Sequence, residues 1–260
     1  MRVISLGWGV QSFALAAMSA LGVLPPVDAA IHADTTHERA ETYQLAKKWT
    51  PWLENHGVRV ITVQAEEKRC NSFRSVNTPF ISLPAFTISE ENGSHGMLQR
   101  QCTSDWKIRP IRHWLQRNRN ETVVEQWLGI TLDEVTRMKG SDVQYITNIY
   151  PFIEMLDRPW TRGMVLCWLR DNNLDIPVKS SCVFCPYHDR QTWRDIQLAN
   201  NGDWEKALNV DRVIRYKRPS CLCYLTSERK PLDECDFRSQ EEHGQLTLWD
   251  TEECSGMCFL

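Results

Sequence analysis

The sequence predicts an α/β fold, a parallel sheet with helices on both faces, followed by a cysteine-bearing C-terminal extension. Three observations carry this. The first sixty residues alternate short apolar, β-branched runs with stretches of helical spacing, the pattern of a parallel sheet wound with crossover helices. A glycine-containing turn joins the first strand to the first helix. A further apolar run, Thr122–Leu128, is stopped by Gly129. A chain of 260 residues is long enough for one large domain with additions.

Taken in order, Val3–Leu6 is a short strand and Gly7-Trp8-Gly9 a turn. Ser12–Leu21, rich in Ala, Leu and Met, is a helix, and Pro25-Pro26 breaks the chain. Val27–Ala33 is a second strand, residues 37–56 are helical, and Val58–Val63 is a third strand. Residues 70–104 hold Pro79, Pro84 and Gly93 with no clear period, and are expected to be irregular. Residues 105–119 read as a helix leading into the fourth strand, Thr122–Leu128. Helices are also expected over 161–172 and 189–200. Beyond about residue 219 the pattern weakens into short elements and an acidic tail.

Hydrophobic content of 42% and charged content of 24% are those of a globular protein. No apolar run approaches the ~18–20 residues of a membrane span, and the N-terminus lacks a cleavable signal pattern. The expectation is a cytoplasmic protein with no membrane partner. Net charge is −3, but residues 241–260 carry five acids and no Lys or Arg. Two stretches are basic without acids: 106–120, with Lys107, Arg109, Arg112, Arg117 and Arg119, and 212–218, with Arg212, Arg215, Lys217 and Arg218. Each is either a solvated helix face or a surface for the phosphates of a nucleotide or nucleic acid.

The turn Ser5-Leu6-Gly7-Trp8-Gly9-Val10-Gln11-Ser12 follows the first strand and opens a helix. Glycines allow the backbone to approach a phosphate, and the helix N-terminus supplies N–H groups and partial positive charge. It is not a Walker A loop, for no Gly-Lys-Ser/Thr ends it, and it lacks the third glycine of a dinucleotide fingerprint. Trp8 within the turn either stacks on a base or packs in the core. Arg162 is suited to a phosphate or a carboxylate.

Gly7–Ser12 resembles the Ser-Gly-Gly-x-Asp-Ser PP-loop of the adenine nucleotide alpha hydrolase superfamily. Ala33-Asp34-Thr35-Thr36 with Glu41-Thr42 resembles the Asp-Thr-Gly … Pro-Glu-Thr segment of its PAPS-reductase branch. Arg100-Gln101-Cys102-Thr103 with Lys107 and Pro110 resembles that branch's Cys-Thr … Lys-x-x-Pro segment. Gly129-Ile130 with Asp133, Glu134 and Arg137 resembles its Gly-Ile … Asp-Glu … Arg segment. The later cysteines look like a phage and bacterial subgroup related to DNA-phosphorothioation sulfur-insertion enzymes. The chain departs from the pattern at four places: Gly7 for the first Ser, Trp8 for a glycine, Gln11 for the Asp, and Thr36 for the glycine after Asp34-Thr35.

The resemblance implies a Rossmann-like (HUP) nucleotide-binding domain over residues 1–180 and a C-terminal cysteine-containing extension over 181–260 packed on it. It implies ATP, or PAPS/APS, held by Gly7, Gly9, Gln11, Ser12, Asp34, Thr35, Gly129, Asp133 and Glu134 with Mg²⁺, and Lys107 and Arg137 facing the charge that develops on pyrophosphate. Gln11 removes a carboxylate that a metal would use.

Ten cysteines in a reducing compartment point to metal ligands or catalytic thiols rather than disulfides. Ser181-Cys182-Val183-Phe184-Cys185 holds the only Cys-x-x-Cys, which is half of a tetrahedral site. Cys102 is the natural companion, Cys254 or Cys258 a fourth. Cys182, Cys185 and Cys102 are open to three readings: a [4Fe–4S] cluster, as the resemblance implies, a structural zinc, or a redox dithiol. Cys167 has a core spacing, and His188 reads as a ligand or a surface histidine.

Three functions compete. In the first, ATP adenylates a substrate oxygen and the cysteine site supplies sulfur, a sulfurtransferase. In the second, an oxidoreductase, a tail thiol such as Cys258 attacks the sulfonyl group of PAPS or APS. In the third, the chain binds a nucleotide or DNA without turnover around a structural zinc. Partners expected beside the adenine nucleotide are a nucleic-acid substrate and a sulfur- or electron-donor protein.

Overall fold

The computed structural model describes residues 1–66, 71, 73 and 79–238. Cys70, Cys254 and Cys258 lie outside the described residues. In chain order the elements are β1 (Arg2–Ser5), α1 (Val10–Ala20), β2 (Ala29–Asp34), α2 (Ala40–Asn55), β3 (Val60–Gln64), β4 (Phe86–Ser89) and β5 (His95–Met97). A π-helical turn (Thr103–Ile108) then leads into α3 (Arg109–Asn118). There follow β6 (Val124–Trp127), a 3₁₀ turn (Leu132–Arg137), β7 (Ile146–Ile149), α4 (Pro151–Glu154), α5 (Arg162–Asp171), α6 (Arg190–Leu198), α7 (Asp203–Arg215), β8 (Cys221–Tyr224) and a 3₁₀ turn (Leu232–Glu234). The chain divides into two units: Met1–Ala65 with Trp106–Ser180, and Glu66–Asp105 with Ser181–Leu260.

The first unit is a five-stranded sheet in the order β3-β2-β1-β6-β7, with every neighbouring pair parallel. The strand order reverses at β1: the chain steps outward to β2 and β3, then returns to the other side as β6 and β7. Side chains of β1 alternate between the faces. Ile4 joins Phe13, Leu15, Trp49, Leu53, Phe152, Val165 and Leu169 on one side. Val3 joins Ile31, Ile111, Leu115, Val124 and Ile146 on the other. The sheet is therefore covered on both faces, by α1, α2 and α5 on the first and α3 on the second. Val10 and every residue from Phe13 to Ser19 of α1 are buried, which is why its sequence is apolar all round rather than striped. It ends where Gly22, at φ +73°, lets the Val23 N–H reach back 2.9 Å to the Met18 carbonyl. By contrast α2 buries only Thr42, Trp49 and Leu53.

The expectation of an irregular 70–104 is corrected over its second half. Phe86–Ser89 and His95–Met97 form an antiparallel hairpin, and β8 adds to its other edge. Strands of three or four residues give too few alternations to register as a period. The same holds for β7.

In the second unit α7 carries a buried ion pair, Asp211–Arg215. Asp211 also accepts the backbone N–H groups of Leu225, at 3.3 Å, and Leu232, at 3.0 Å, tying the helix to the segments after it. The Arg215 guanidinium lies 4.2 Å from the Tyr224 ring centre. Trp193 of α6 packs with Trp204 and Phe237, and edge-on with His188 at 4.8 Å. His188 is thus buried rather than a surface residue. Cys167, expected to be packed, is exposed on α5.

Asp211→Ala removes the carboxylate that serves two backbone amides and a buried guanidinium. It should destabilise the second unit by about 3–5 kcal/mol, the usual cost of stranding one member of a buried pair. A lowered urea midpoint for tryptophan fluorescence, with no change in the slope, is the expected result.

Candidate functional site

The carboxyl ends of β1 and β6 flank the point where the strand order reverses, the place where open parallel sheets take ligands. After β1 the backbone turns through Gly7, Trp8 and Gly9 into α1. The Ser12 hydroxyl fixes this turn: it accepts the Gly7 N–H at 3.1 Å and donates to the Gly9 carbonyl at 3.3 Å. Ser180, which the sequence reading missed, donates to the Gly7 carbonyl from outside the turn. The first-turn amides of α1 have no acceptor within the helix, and Gly9 rather than a side chain caps it.

After β6 the chain passes Gly129, where a Cβ would stand 2.9 Å from the Gln11 Cβ and 3.0 Å from the Ser12 nitrogen. Only a glycine lets the two loops come this close. Thr131, fully buried, follows, and among the described residues its hydroxyl has no hydrogen-bond partner. The 3₁₀ turn then carries Asp133, Glu134 and Arg137.

These residues form one network. The Gln11 amide donates from Nε2 to Glu134 Oε2 at 3.2 Å, and its Oε1 accepts from Arg162 Nη1 at 2.9 Å. Glu134 is ion-paired with Arg137. Asp133 accepts the backbone N–H of Arg162 at the start of α5. Gln11, Asp133, Glu134 and Arg137 are thus brought together, and Arg162 joins them through Gln11. Its pairing with a neutral amide was not legible in sequence.

A second polar group stands at the end of β2. Asp34 accepts the Thr36 N–H and the Tyr43 hydroxyl, each at 2.8 Å, and the Gln64 amide at 2.7 Å. Burial alone would raise the Asp34 carboxyl, but these donors outweigh it and hold it below the ordinary aspartate value. Burial and the Asp34 carboxylate push the Tyr43 phenol up. Lys107 pairs with Glu38 at 2.9 Å, and the Glu38 side chain is only 1% exposed. Thr35, completely buried, donates to the same Glu38 oxygen at 3.3 Å. Sequence reasoning missed Glu38. An acid two residues before a helix reads as an ordinary N-terminal charge, and nothing local announces its burial.

Mg²⁺ requires several oxygen ligands in octahedral array, usually one or two of them carboxylates. At this junction the side chain in the Asp position of the loop is an amide, Glu134 is taken by Gln11 and Arg137, and Asp133 by a backbone N–H. Asp34 already has three donors. The residues present do not fit a divalent cation.

In the second unit, Cys182 and Cys185 share one turn: the Cys185 N–H reaches the Cys182 carbonyl at 3.0 Å, and His188 Nε2 lies 2.9 Å from the same oxygen. Among the described residues no group of three or more His, Cys, Asp or Glu side chains is placed to hold a metal ion. Cys102, Cys182 and Cys185 are thus not grouped around a single metal ion among the described residues, and Cys254 and Cys258 lie outside them. No disulfide joins the described cysteines. Burial, with Cys221 adjacent, pushes the Cys223 thiol up to about 12, so it is not a nucleophile near neutrality.

No helix among the described residues is long and apolar enough to cross a membrane.

Two measurements probe this edge of the sheet. Gly129→Ala forces a methyl against backbone atoms and should cost about 1–3 kcal/mol, seen as a lower thermal midpoint. His32 is buried on β2, and burial holds it below the ordinary histidine value of 6.5, with Glu38 opposing. Below 6.5 the unfolded chain takes up a proton that the folded one refuses. Stability should therefore fall as pH drops through that value, and His32→Gln should flatten the slope of a urea midpoint followed against pH.

No family model matches the sequence, and no curated protein matches it. Among solved structures it is similar to the phosphoadenylyl-sulfate (PAPS) reductase of Candida auris in its phosphate complex, at 15% identity and a TM-score of 0.43, over 68% of this chain and 74% of that one. A likeness so distant carries nothing about the site, which stands on its own geometry.

Proposed function

We propose that the first unit binds an adenine nucleotide by its phosphates at the junction of the β1 and β6 loops, and that the protein is an enzyme of the PAPS-reductase-like type. The observation that carries this is the approach of Gly129 to Gln11 and Ser12 at the reversal of strand order. That approach sets a glycine turn, a helix N-terminus and two arginines around one crevice, an arrangement suited to phosphate.

In this reading Gly7 and Gly9 let phosphate oxygens near the backbone, the first-turn amides of α1 donate to them, and Ser12 keeps the turn in shape. Arg137 and Arg162 offset the charge that develops on a departing pyrophosphate. A substrate oxygen would attack the α-phosphorus of ATP, the bond to the bridging oxygen would break, and pyrophosphate would leave. With PAPS or APS a thiol would instead attack sulfur, forming a cysteine S-sulfonate as the S–O bond to the nucleotide breaks and the adenosine phosphate leaves; a second thiol would then release sulfite by forming a disulfide. The two routes differ in products, and pyrophosphate release distinguishes them. Gln11 in the loop favours a second reading, in which the nucleotide is held without turnover. A nucleotide that binds but yields neither pyrophosphate nor sulfite would support it.

Titration of ATP and of PAPS into the protein tests the proposal, and saturable binding of at least one is expected. Ser12→Ala frees the Gly7 amide and the Gly9 carbonyl and should weaken that binding by about 1–2 kcal/mol, the scale of a hydrogen bond near a charged group. Wild-type affinity in this variant would exclude the turn from the site.

A further inference from the structure

We infer that phosphate is held here by Arg162, set in position by Gln11, without a bridging divalent cation. The inference rests on the nucleotide reading above and deepens it.

Gln11 is engaged at both ends of its amide, by Glu134 at Nε2 and by Arg162 at Oε1. Only one orientation satisfies both neighbours. Flipped, the amide would set N–H groups against the guanidinium and an oxygen against the carboxylate. The glutamine is therefore a spacer of fixed polarity between an anion and a cation. An aspartate at this position would be too short for that span and would bring a charge of its own. It would pair with Arg162 and add a carboxylate to the crevice.

Because residue 11 is neutral, the Arg162 guanidinium meets no carboxylate among the described residues: Gln11 is its side-chain partner. Glu134 is committed to Arg137, and Asp133 to the Arg162 backbone N–H. Arg162 is half-buried at the first position of a ten-residue helix, α5, which packs on α1. It therefore lies where two helix N-termini add positive potential rather than cancel it. A partly desolvated guanidinium whose donors, Nη1 apart, have no partner among the described residues, in a positive field, is a site for an anion. The Thr131 hydroxyl, buried and without a partner among the described residues, belongs to the same junction. With every acid of the crevice engaged by protein donors, the charge that a metal would bring to a triphosphate is supplied by arginine instead.

The test is calorimetric titration of the full chain with ATP, and with inorganic pyrophosphate as a second probe, in EDTA and in excess Mg²⁺. The wild type should bind in both, with dissociation constants within about threefold. Arg162→Gln should weaken binding at least tenfold in either buffer, with Arg162→Lys in between because it keeps the charge but loses the fork. If Arg162→Gln fails to fold, the lysine variant and Gln11→Asp carry the test. Gln11→Asp should bind ATP poorly in EDTA and recover in Mg²⁺. Binding by the wild type only in Mg²⁺, or unchanged affinity in the Arg162 variants, would overturn the inference while leaving the nucleotide reading intact. Wild-type protein that binds neither probe in either buffer would overturn both.

Discussion

The carboxyl edge of the parallel sheet depends on how closely the loop after β6 approaches the first turn of α1. At Gly129 the separation leaves no room for a Cβ, so the chain there is backbone against backbone. That contact fixes Gln11 and Ser12 with respect to the 3₁₀ turn, and through Gln11 it fixes Glu134 and Arg162. Side-chain positions in the network are thus inherited from a packing constraint between two loops.

Two residues of these loops adopt backbone angles that glycine would take more cheaply. Trp8 has φ +58° and Thr36 has φ +62°, conformations that cost an L side chain about 1–2 kcal/mol. Trp8 stands where the PP-loop that Gly7–Ser12 resembles has a glycine, and Thr36 where the Asp-Thr-Gly segment that Asp34–Thr36 resembles has one. Surrounding contacts must hold each side chain in this conformation. For Trp8 these are evident: the indole is 1% exposed and lies 6.1 Å from the Phe13 ring. Its role is anchoring the turn to the core, and stacking on a base is not open to it there. For Thr36 the local compensation is its N–H, which Asp34 accepts at 2.8 Å.

The two polar groups of the first unit differ in character. Lys107, Glu38 and Thr35 form an ion pair with a hydroxyl attached, where loss of the lysine would leave the Glu38 carboxylate buried without its cation. The Gln11 network is half-buried and held by amide and guanidinium hydrogen bonds. Lys107, expected to face pyrophosphate, is paired with Glu38, as Arg137 is with Glu134.

Local patterning in the sequence is enough for the α/β class, the strand–turn–helix at Gly7–Ser12, and the helices α1, α2, α3, α5 and α6, whereas the short α4 was not expected. These depend on local patterning, the 3.6 and 2 residue periods, which survive without knowledge of neighbours. The sequence also marked Gln11, Asp34, Gly129, Asp133, Glu134 and Arg137. The tertiary structure alone decided the strand order, the short strands β4, β5, β7 and β8, and the pairing of Gln11 with Arg162, 151 positions apart. It alone showed that Glu38, Thr131 and His188 are buried and Cys167 is not. The reason is physical: burial and long-range hydrogen bonds are properties of surfaces brought together by the sheet, and a single chain segment carries no record of which surface will meet it.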